Sequence, residues 1–465
     1  MTLPRPFALL PASRLATLPR ALLLALASLS GAGAAQAQSL QALYDAARAF
    51  DATYLGARAQ AESARYRADQ AGALRLPSVG LQAGLNRSEA DTPYSSTRST
   101  DTNNTQVALS ASQTLFNAAN GATIAQAERG VAVAEAQLRS AEQDLIVRLS
   151  QAYFDVLGAR DALTTVQANK KQITEQLASA KRNFEVGTAT ITDTREAQAR
   201  FDLASAQEIA AENDLRVKQI ALDQLVGQPG AQPLPLAVPV ALPPLQPAAV
   251  DDWVSRSEAQ SPLVQQAQLG LEVAKLETEK ARAGHLPTVT LNGSLAKSHV
   301  SGDVTAFSST LNRTVDSSFS GSGTNASIGV TLNVPLFAGF AIQNRVKETL
   351  SLEEKSRLDL DVARRSVAQG TRQAFFGVQS GQAQVKALEA AESSSKLALD
   401  ATLLGYKVGV RVNLDVLNAT TQLFQTQRDL AKARYDVIVG GLRLRQVSGS
   451  LSADDVRTVD ALLAR

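Results

Sequence analysis

The sequence contains no cysteine, one tryptophan (Trp253) and one methionine. Without cysteine there is no disulfide, no thiolate metal site, no Cys nucleophile and no lipid-bearing Cys at a processed N-terminus. Aromatic residues make up only 5% of the 465 positions and charged residues 19%. The apolar share rests on Ala and Leu, which suits closely packed helices better than a large aromatic core. No stretch beyond the N-terminal segment approaches the roughly 18 consecutive apolar residues of a membrane-crossing helix. Neither sign of charge dominates, with 46 basic against 44 acidic residues, so nucleic-acid binding has no electrostatic basis. Catalytic signatures are missing as well. There is no P-loop, no GxSxG, no HExxH and no cluster of ligand residues at metal spacing. No catalytic residue, metal site or cofactor is therefore expected. His285 and His299 are isolated and carry no chemistry.

Residues 1–37 read as a secretory signal. Arg5, Arg14 and Arg20 form a basic start, Ala21–Leu29 a short apolar run, and Ala35-Gln36-Ala37 a small-x-small cleavage site. The expectation is an exported chain that is either soluble outside the cytoplasm or embedded in an outer membrane as strands.

Two related stretches organise what remains. Phe184-Glu-Val-Gly187 is followed by Asp193, and Tyr406-Lys-Val-Gly409 by Asp415. Each stands between long Ala/Gln/Leu-rich runs. A glycine ends a helix by taking the left-handed conformation, and a Thr or Asp soon afterwards caps the next one. The spacing predicts two tight reversals, 184–193 and 406–415, between long antiparallel helices. On these residues alone Asp193 and Asp415 read as helix caps and the glycines as turn formers.

The chain is duplicated. Leu76-Pro77 recurs as Leu286-Pro287, Leu115-Phe116 as Leu336-Phe337, Ala152-Tyr153-Phe154 as Ala374-Phe375-Phe376, and Gly227 as Gly449. From Ala152 onward the offset is a constant 222 residues. The first repeat covers 38–227 and the second 251–449. Between them 228–250 is a linker with seven prolines, and 450–465 is a C-terminal tail. Each repeat begins with a helical pattern, Leu43–Arg75 in the first. Then the period changes to two, as in Val79, Leu81, Ala83 and Leu85 against Gly80, Gln82 and Gly84. The reading is strand–loop–strand at 76–116 and 286–337. Strands of about 9–12 residues are expected, with polar loops at Ser88–Asn104 and Val300–Thr324. A helix from Gly121 to Phe184 follows, roughly 95 Å long, and a return helix starts near Thr194.

These lengths suit tilted membrane strands, apolar outward and polar inward. Four strands cannot close a barrel, and open edges are not tolerated in lipid. Several copies sharing one barrel resolve this. The two shorter helices of each repeat, stacked end to end, match the long one. Together they predict a cylinder about 100 Å long, with strands at one end and tips at the other. Phe116 and Phe337 fall at the strand-to-helix junctions, where they are expected to sit at the membrane interface or to pack the junction. Pro229–Pro247 reads as a strap over the helices. The rival reading is a periplasmic coiled-coil scaffold or adaptor that never enters the membrane.

The chain resembles the TolC-type outer-membrane efflux and secretion proteins. The resemblance covers essentially the whole chain after residue 37. It rests on the duplicated strand units, on Phe184-x-Val-Gly187 with Asp193, and on Tyr406-Lys-Val-Gly409-Val-Arg411-Val-Asn-Leu-Asp415-Val-Leu-Asn418. It implies a mixed fold in which long antiparallel helices form a coiled-coil tunnel. It also implies four strands per chain in a 12-stranded outer-membrane barrel made by a homotrimer. The implied function is non-enzymatic export of proteins or drugs. The implied partners are a periplasmic adaptor (a membrane fusion protein), an inner-membrane ABC or proton-driven pump, and outer-membrane lipid. The resemblance further implies a closed periplasmic end held by Tyr406 and Arg411 acting on Asp193. An acidic constriction ring is implied at Asp415, which would favour cations. At the second position of that ring this chain has Asn418, which weakens it. Adaptor contact is implied at Val186, Gly187, Thr188, Val408, Gly409 and Val410.

Overall fold

The computed structural model describes residues 38–464 except positions 93 and 241, so the expected signal at 1–37 lies outside the described residues. The first repeat runs α1 (Leu40–Phe50), α2 (Ala52–Gly72), β1 (Ser78–Asp91), β2 (Thr97–Phe116), α3 (Ala118–Glu185) and α4 (Ile191–Val226). The second runs α5 (Val250–Gln260), α6 (Pro262–Ala283), β3 (Thr288–Ser308), β4 (Arg313–Asn333), α7 (Ala341–Lys407) and α8 (Asn413–Val447). A short α9 (Ala453–Asp460) ends the described chain.

The long helices α3 and α7 have 68 and 67 residues, which is about 100 Å each. Toward the sheet α3 lies against α2 and α6, and toward the tips it lies against α4 and α8. The shorter helices thus stack in pairs beside the long ones, α2 over α4 and α6 over α8. The helix expected over Leu43–Arg75 is interrupted. Asp51 is extended, with φ −60° and ψ 115°, and its carboxylate accepts from the N–H of Tyr54 to cap α2. Arg148 of α3 holds the same carboxylate through two hydrogen bonds of 3.1 Å. Burial alone would raise the Asp51 pKa, but the bonds from Arg148 and Tyr54 outweigh it and hold the group below its ordinary value. The break therefore places the Asp51 carboxylate both as the cap of α2 and as the partner of a half-buried Arg148.

The core is a belt midway along the cylinder. Leu40, Leu43, Tyr44, Leu145, Tyr153, Phe154 and Leu157 are almost fully buried there, with Ile438 and Leu442 of α8 packed against them. Each such side chain contributes about 1.5–3 kcal/mol of burial. The Pro-rich segment crosses the belt as a strap. Tyr153 donates to the Leu234 carbonyl (3.0 Å), and Trp253 Nε1 donates to the Pro247 carbonyl (2.8 Å). The chain end closes over it, with Ala237 N–H bonded to the Leu462 carbonyl.

The four strands form one open antiparallel sheet in the order β1-β2-β3-β4. Their lengths are 14, 20, 21 and 21 residues, longer than the 9–12 expected. The stretches Ser88–Asn104 and Val300–Thr324, expected as loops, are mostly paired strand. Ser88 faces Thr102, and Ser301 faces Ser320. Among the described residues, positions 94–96 and 309–312 turn. Ser, Thr and Asn satisfy the ladder through their backbones, so a strand that has left the lipid remains a strand when both faces are polar.

The two faces differ. One carries the row Leu81, Leu109, Leu295 and Ala326 and the row Val79, Ala111, Gly293 and Ile328. The other carries Gly80, Ser110, Ser294 and Ser327. Beyond the apolar rows the first face turns charged at Arg87, Glu89, Asp101 and Asp303, with Arg87 and Asp101 paired at 2.6 Å.

Candidate functional site

The tips lie at the end of the helical body opposite the sheet. At the first tip Gly187 is left-handed (φ +77°), and the N–H groups of Thr188 and Ala189 both return to the Asn183 carbonyl. The return helix α4 begins at Ile191, earlier than expected. Thr190 and Asp193 form a reciprocal capping box. The Asp193 carboxylate accepts from the Thr190 N–H (2.9 Å) and hydroxyl (2.8 Å), and Thr190 Oγ1 accepts from the Asp193 N–H (3.2 Å).

The second tip repeats the turn but not the cap. Gly409 has φ +80°, and Val410 and Arg411 donate to the Gly405 carbonyl. The residue before α8 is Val412, which has no side-chain acceptor. Asp415 is therefore free of capping and instead pairs with Arg411 at 3.6 Å. Both partners are well solvated, so the pair contributes no more than about 1 kcal/mol. The tips also present apolar surface. Val186, Val408 and Val410 are 73%, 66% and 78% exposed.

The two hairpins meet just behind the tips. Leu417 of α8 is buried among Ile173, Leu177 and Ala180 of α3 and Ala197, Phe201 and Ala204 of α4. Two hydrogen bonds flank this knob. Asn183 Nδ2 donates to Tyr406 Oη (3.3 Å), and Arg200 Nη2 donates to Asn418 Oδ1 (3.1 Å). The protomer thus brings together Tyr406 with Asn183, Arg411 with Asp415, and Asn418 with Arg200. It does not bring Tyr406 or Arg411 to Asp193. Sequence reasoning missed Asn183 and Arg200. A signal was present, because both break the repeat: 222 residues on stand Gly405 and Gln422.

No helix among the described residues is long and apolar enough to cross a membrane. The sheet, with its divided faces, is the element suited to lipid. Residues 43–228 and 253–450 match the family described as outer membrane efflux protein. The chain belongs to that family. It is 32% identical to outer membrane protein TolC of Vibrio cholerae, over 91% of this chain and 94% of that protein. It is 34% identical to the alkaline protease secretion protein AprF of Pseudomonas aeruginosa, over 72% and 68%. The fold matches the Campylobacter jejuni CmeC outer membrane channel, with a TM-score of 0.73 at 15% identity, over 99% of this chain and 98% of that one. The protein is thus an outer-membrane exit channel with a periplasmic helical domain, in a family of transport channels. The scaffold that stays out of the membrane is set aside.

Proposed function

We propose that the channel works as a homotrimer whose three sheets close into one 12-stranded barrel. The observation that carries this is the open sheet. β1 and β4 each leave one edge unpaired, and edges in lipid cost several kcal/mol per orphaned group. Strand directions alternate across the sheet, so β4 of one copy meets β1 of the next antiparallel and the ring closes. The apolar face then meets lipid, and the Gly/Ser/Asn face lines the pore.

The helices continue the pore as a periplasmic tunnel, and the tips close it. Leu417 and its two flanking hydrogen bonds support a closed arrangement in which the second hairpin lies against the first. In this reading Tyr406, Arg411 and Asp193 hold neighbouring hairpins together, and Asp415 and Asn418 lie at the constriction. Asp193 has one carboxylate oxygen outside its capping bonds for such a role. The exposed valines of the tips, with Gly187, Thr188 and Gly409, suit docking of a periplasmic adaptor. An inner-membrane ABC or proton-driven pump supplies cargo. Relatives named for protease secretion and for efflux both match the chain, so the reading spans protein and small-molecule export.

Single-channel conductance in a planar bilayer tests the gate. Tyr406→Phe combined with Arg411→Ser is expected to raise conductance several-fold over wild type. Equal conductance in a trimer of normal stability would remove these residues from the gate.

A further inference from the structure

We propose that Lys297 and His299 hold the phosphate of an outer-leaflet lipid against the outside of the barrel. The inference rests on the barrel reading above and adds a lipid site to it. Lys297 continues the apolar face of β3, two residues beyond Leu295, and stands across from Val107 of β2 and Thr324 of β4. Below it on the same strand and face are Val289, Leu291, Gly293 and Leu295. From Val289 to Lys297 the strand climbs about 26 Å along its length, or about 20 Å of height at a tilt of about 40°. Lys297 therefore lies near the upper edge of the roughly 25 Å apolar band of a membrane barrel. The strands leave the periplasmic helices at Ser78 and Thr288, so this edge meets the outer leaflet. On the other strands the apolar run of this face stops within one row of the same level, at Leu85, Val107 and Ala326.

Lys297 has no counter-charge in the protein. In the paired stretches that form this band, 78–86, 102–116, 288–302 and 317–333, Lys297 and His299 are the only ionisable residues. Among the described residues the sheet's one ion pair is Arg87 with Asp101. The nearest carboxylates on this face are Glu89, Asp101 and Asp303, which share one row. Asp303 lies roughly 20 Å along the strand from Lys297, beyond the screening length of about 8–10 Å in the water where that row stands. These carboxylates keep anions from their own level but do not neutralise Lys297. His299 follows on the same face, in the row of Thr105 and Ser322. Its Nδ1 is 2.9 Å from Ser322 Oγ, which leaves Nε2 as the free ring nitrogen. A lysine at the edge of lipid lays its stem over apolar surface and raises its ammonium to the headgroups. The missing counter-charge there is a lipid phosphate, to which the ammonium, the imidazole and the Thr324 hydroxyl can donate. Free phosphate has no acyl chains to cover Leu295 and Val107, which favours the lipid.

Native mass spectrometry of the detergent-extracted trimer with added lipid A, a phosphorylated glycolipid, tests this. The panel is wild type, Lys297→Gln, Lys297→Arg, His299→Gln and, as a control, Arg87→Gln, each first checked for a heat-resistant, conducting trimer. Wild type should retain up to one lipid A per protomer. Lys297→Gln should weaken retention about fivefold, the effect of one basic residue at an anionic lipid surface. His299→Gln should weaken it less. Lys297→Arg keeps the charge and should retain lipid A as wild type does. Arg87→Gln should change nothing, because Asp101 already takes the Arg87 charge. Lipid A stripped of its phosphates should bind wild type and Lys297→Gln alike, and millimolar inorganic phosphate should not displace lipid A. Equal retention by wild type and Lys297→Gln overturns the proposal, as does an equal loss in Arg87→Gln, which would mean diffuse surface charge. Displacement by inorganic phosphate overturns it too, since the site would then take the free ion. In each of these cases the conducting trimer leaves the barrel reading standing. A wild type that forms no conducting trimer removes the barrel reading, and this site with it.

Discussion

At the scale of single residues, the repeat preserves some matching positions and not others. Gly187 and Gly409 are left-handed with open space on the Cβ side, so within the protomer they serve the turn and pack against nothing. Gly227 and Gly449 share that backbone but are also close-packed. A Cβ on Gly227 would meet the Phe50 ring, and one on Gly449 would meet the Gln260 backbone. Asp161 has no such match. Its counterpart 222 residues on is Ala383. Burial pushes the Asp161 carboxyl above its ordinary value, and the Tyr435 hydroxyl, donating at 2.6 Å, with nearby Arg160, pulls it only part of the way back. The folded protein therefore holds this proton more tightly than the unfolded chain does. The stabilising contribution is complete below the ordinary carboxylate value of about 4 and is lost as pH rises through the raised folded value. Asp161→Asn keeps an acceptor for Tyr435 and cannot ionise. Its melting temperature relative to wild type should climb as pH rises above about 4. Parallel melting curves across that range would show that Asp161 does not titrate in this way.

At the scale of elements, the helices were legible and the strand ends were not. Alanine and leucine periodicity with few breakers marked α3 to within a few residues. The strands ran past their expected limits because composition registers where the lipid ends, not where pairing ends. Asp51 broke a helix that periodicity left whole, since the reason for the break is Arg148, distant in sequence. Asn183 and Arg200 stood out as breaks in the repeat, but their contacts were hidden for a similar reason. Their partners lie on the other hairpin, and only the packing of Leu417 brings them near. The sheet faces, in contrast, were read correctly from alternation, and they carry a sharp consequence. Ile328 is 82% exposed in the apolar rows, and its neighbour Ser327 points to the other face. Ile328→Arg should cost about 2–4 kcal/mol of barrel stability, the range for a cation on a lipid-facing strand. Ser327→Arg should leave stability nearly unchanged and alter conductance instead. Urea unfolding in lipid vesicles separates the two. Equal losses for both variants would mean that the faces are not divided between lipid and water.

At the scale of the whole molecule, the duplication decides the architecture, and the unpaired edges decide how it completes itself. α7 packs against α5, α6 and α8, leaving a further flank uncovered. On that helix Leu397 and Leu404, seven residues apart and so on one stripe, are 71% and 64% exposed. On the opposite edge of the protomer Ile209 and Ile220 of α4 are 67% and 58% exposed, and their spacing of eleven also keeps one stripe. A soluble helix does not leave such stripes in water without a partner. Closing three sheets into a barrel brings α7 of one copy beside α4 of the next, and the two stripes then lie in one seam at different heights, about 5–15 Å and about 27–44 Å from the tips, each covered by the neighbouring helix. The helical wall and the barrel should therefore assemble together. Leu397→Glu with Leu404→Glu is expected to abolish the heat-resistant trimer. Each copy loses the burial of two side chains, about 3–6 kcal/mol per interface, and gains two charges to desolvate. Ile209→Glu with Ile220→Glu should do the same from the other side. Helix content by circular dichroism should persist in both, because neither stripe belongs to the protomer's own core. Electrophoresis of unheated samples in detergent reads the outcome. Trimers that survive both pairs of substitutions would place these stripes elsewhere than the subunit interface, and the edge strands β1 and β4 would then have to hold the assembly alone.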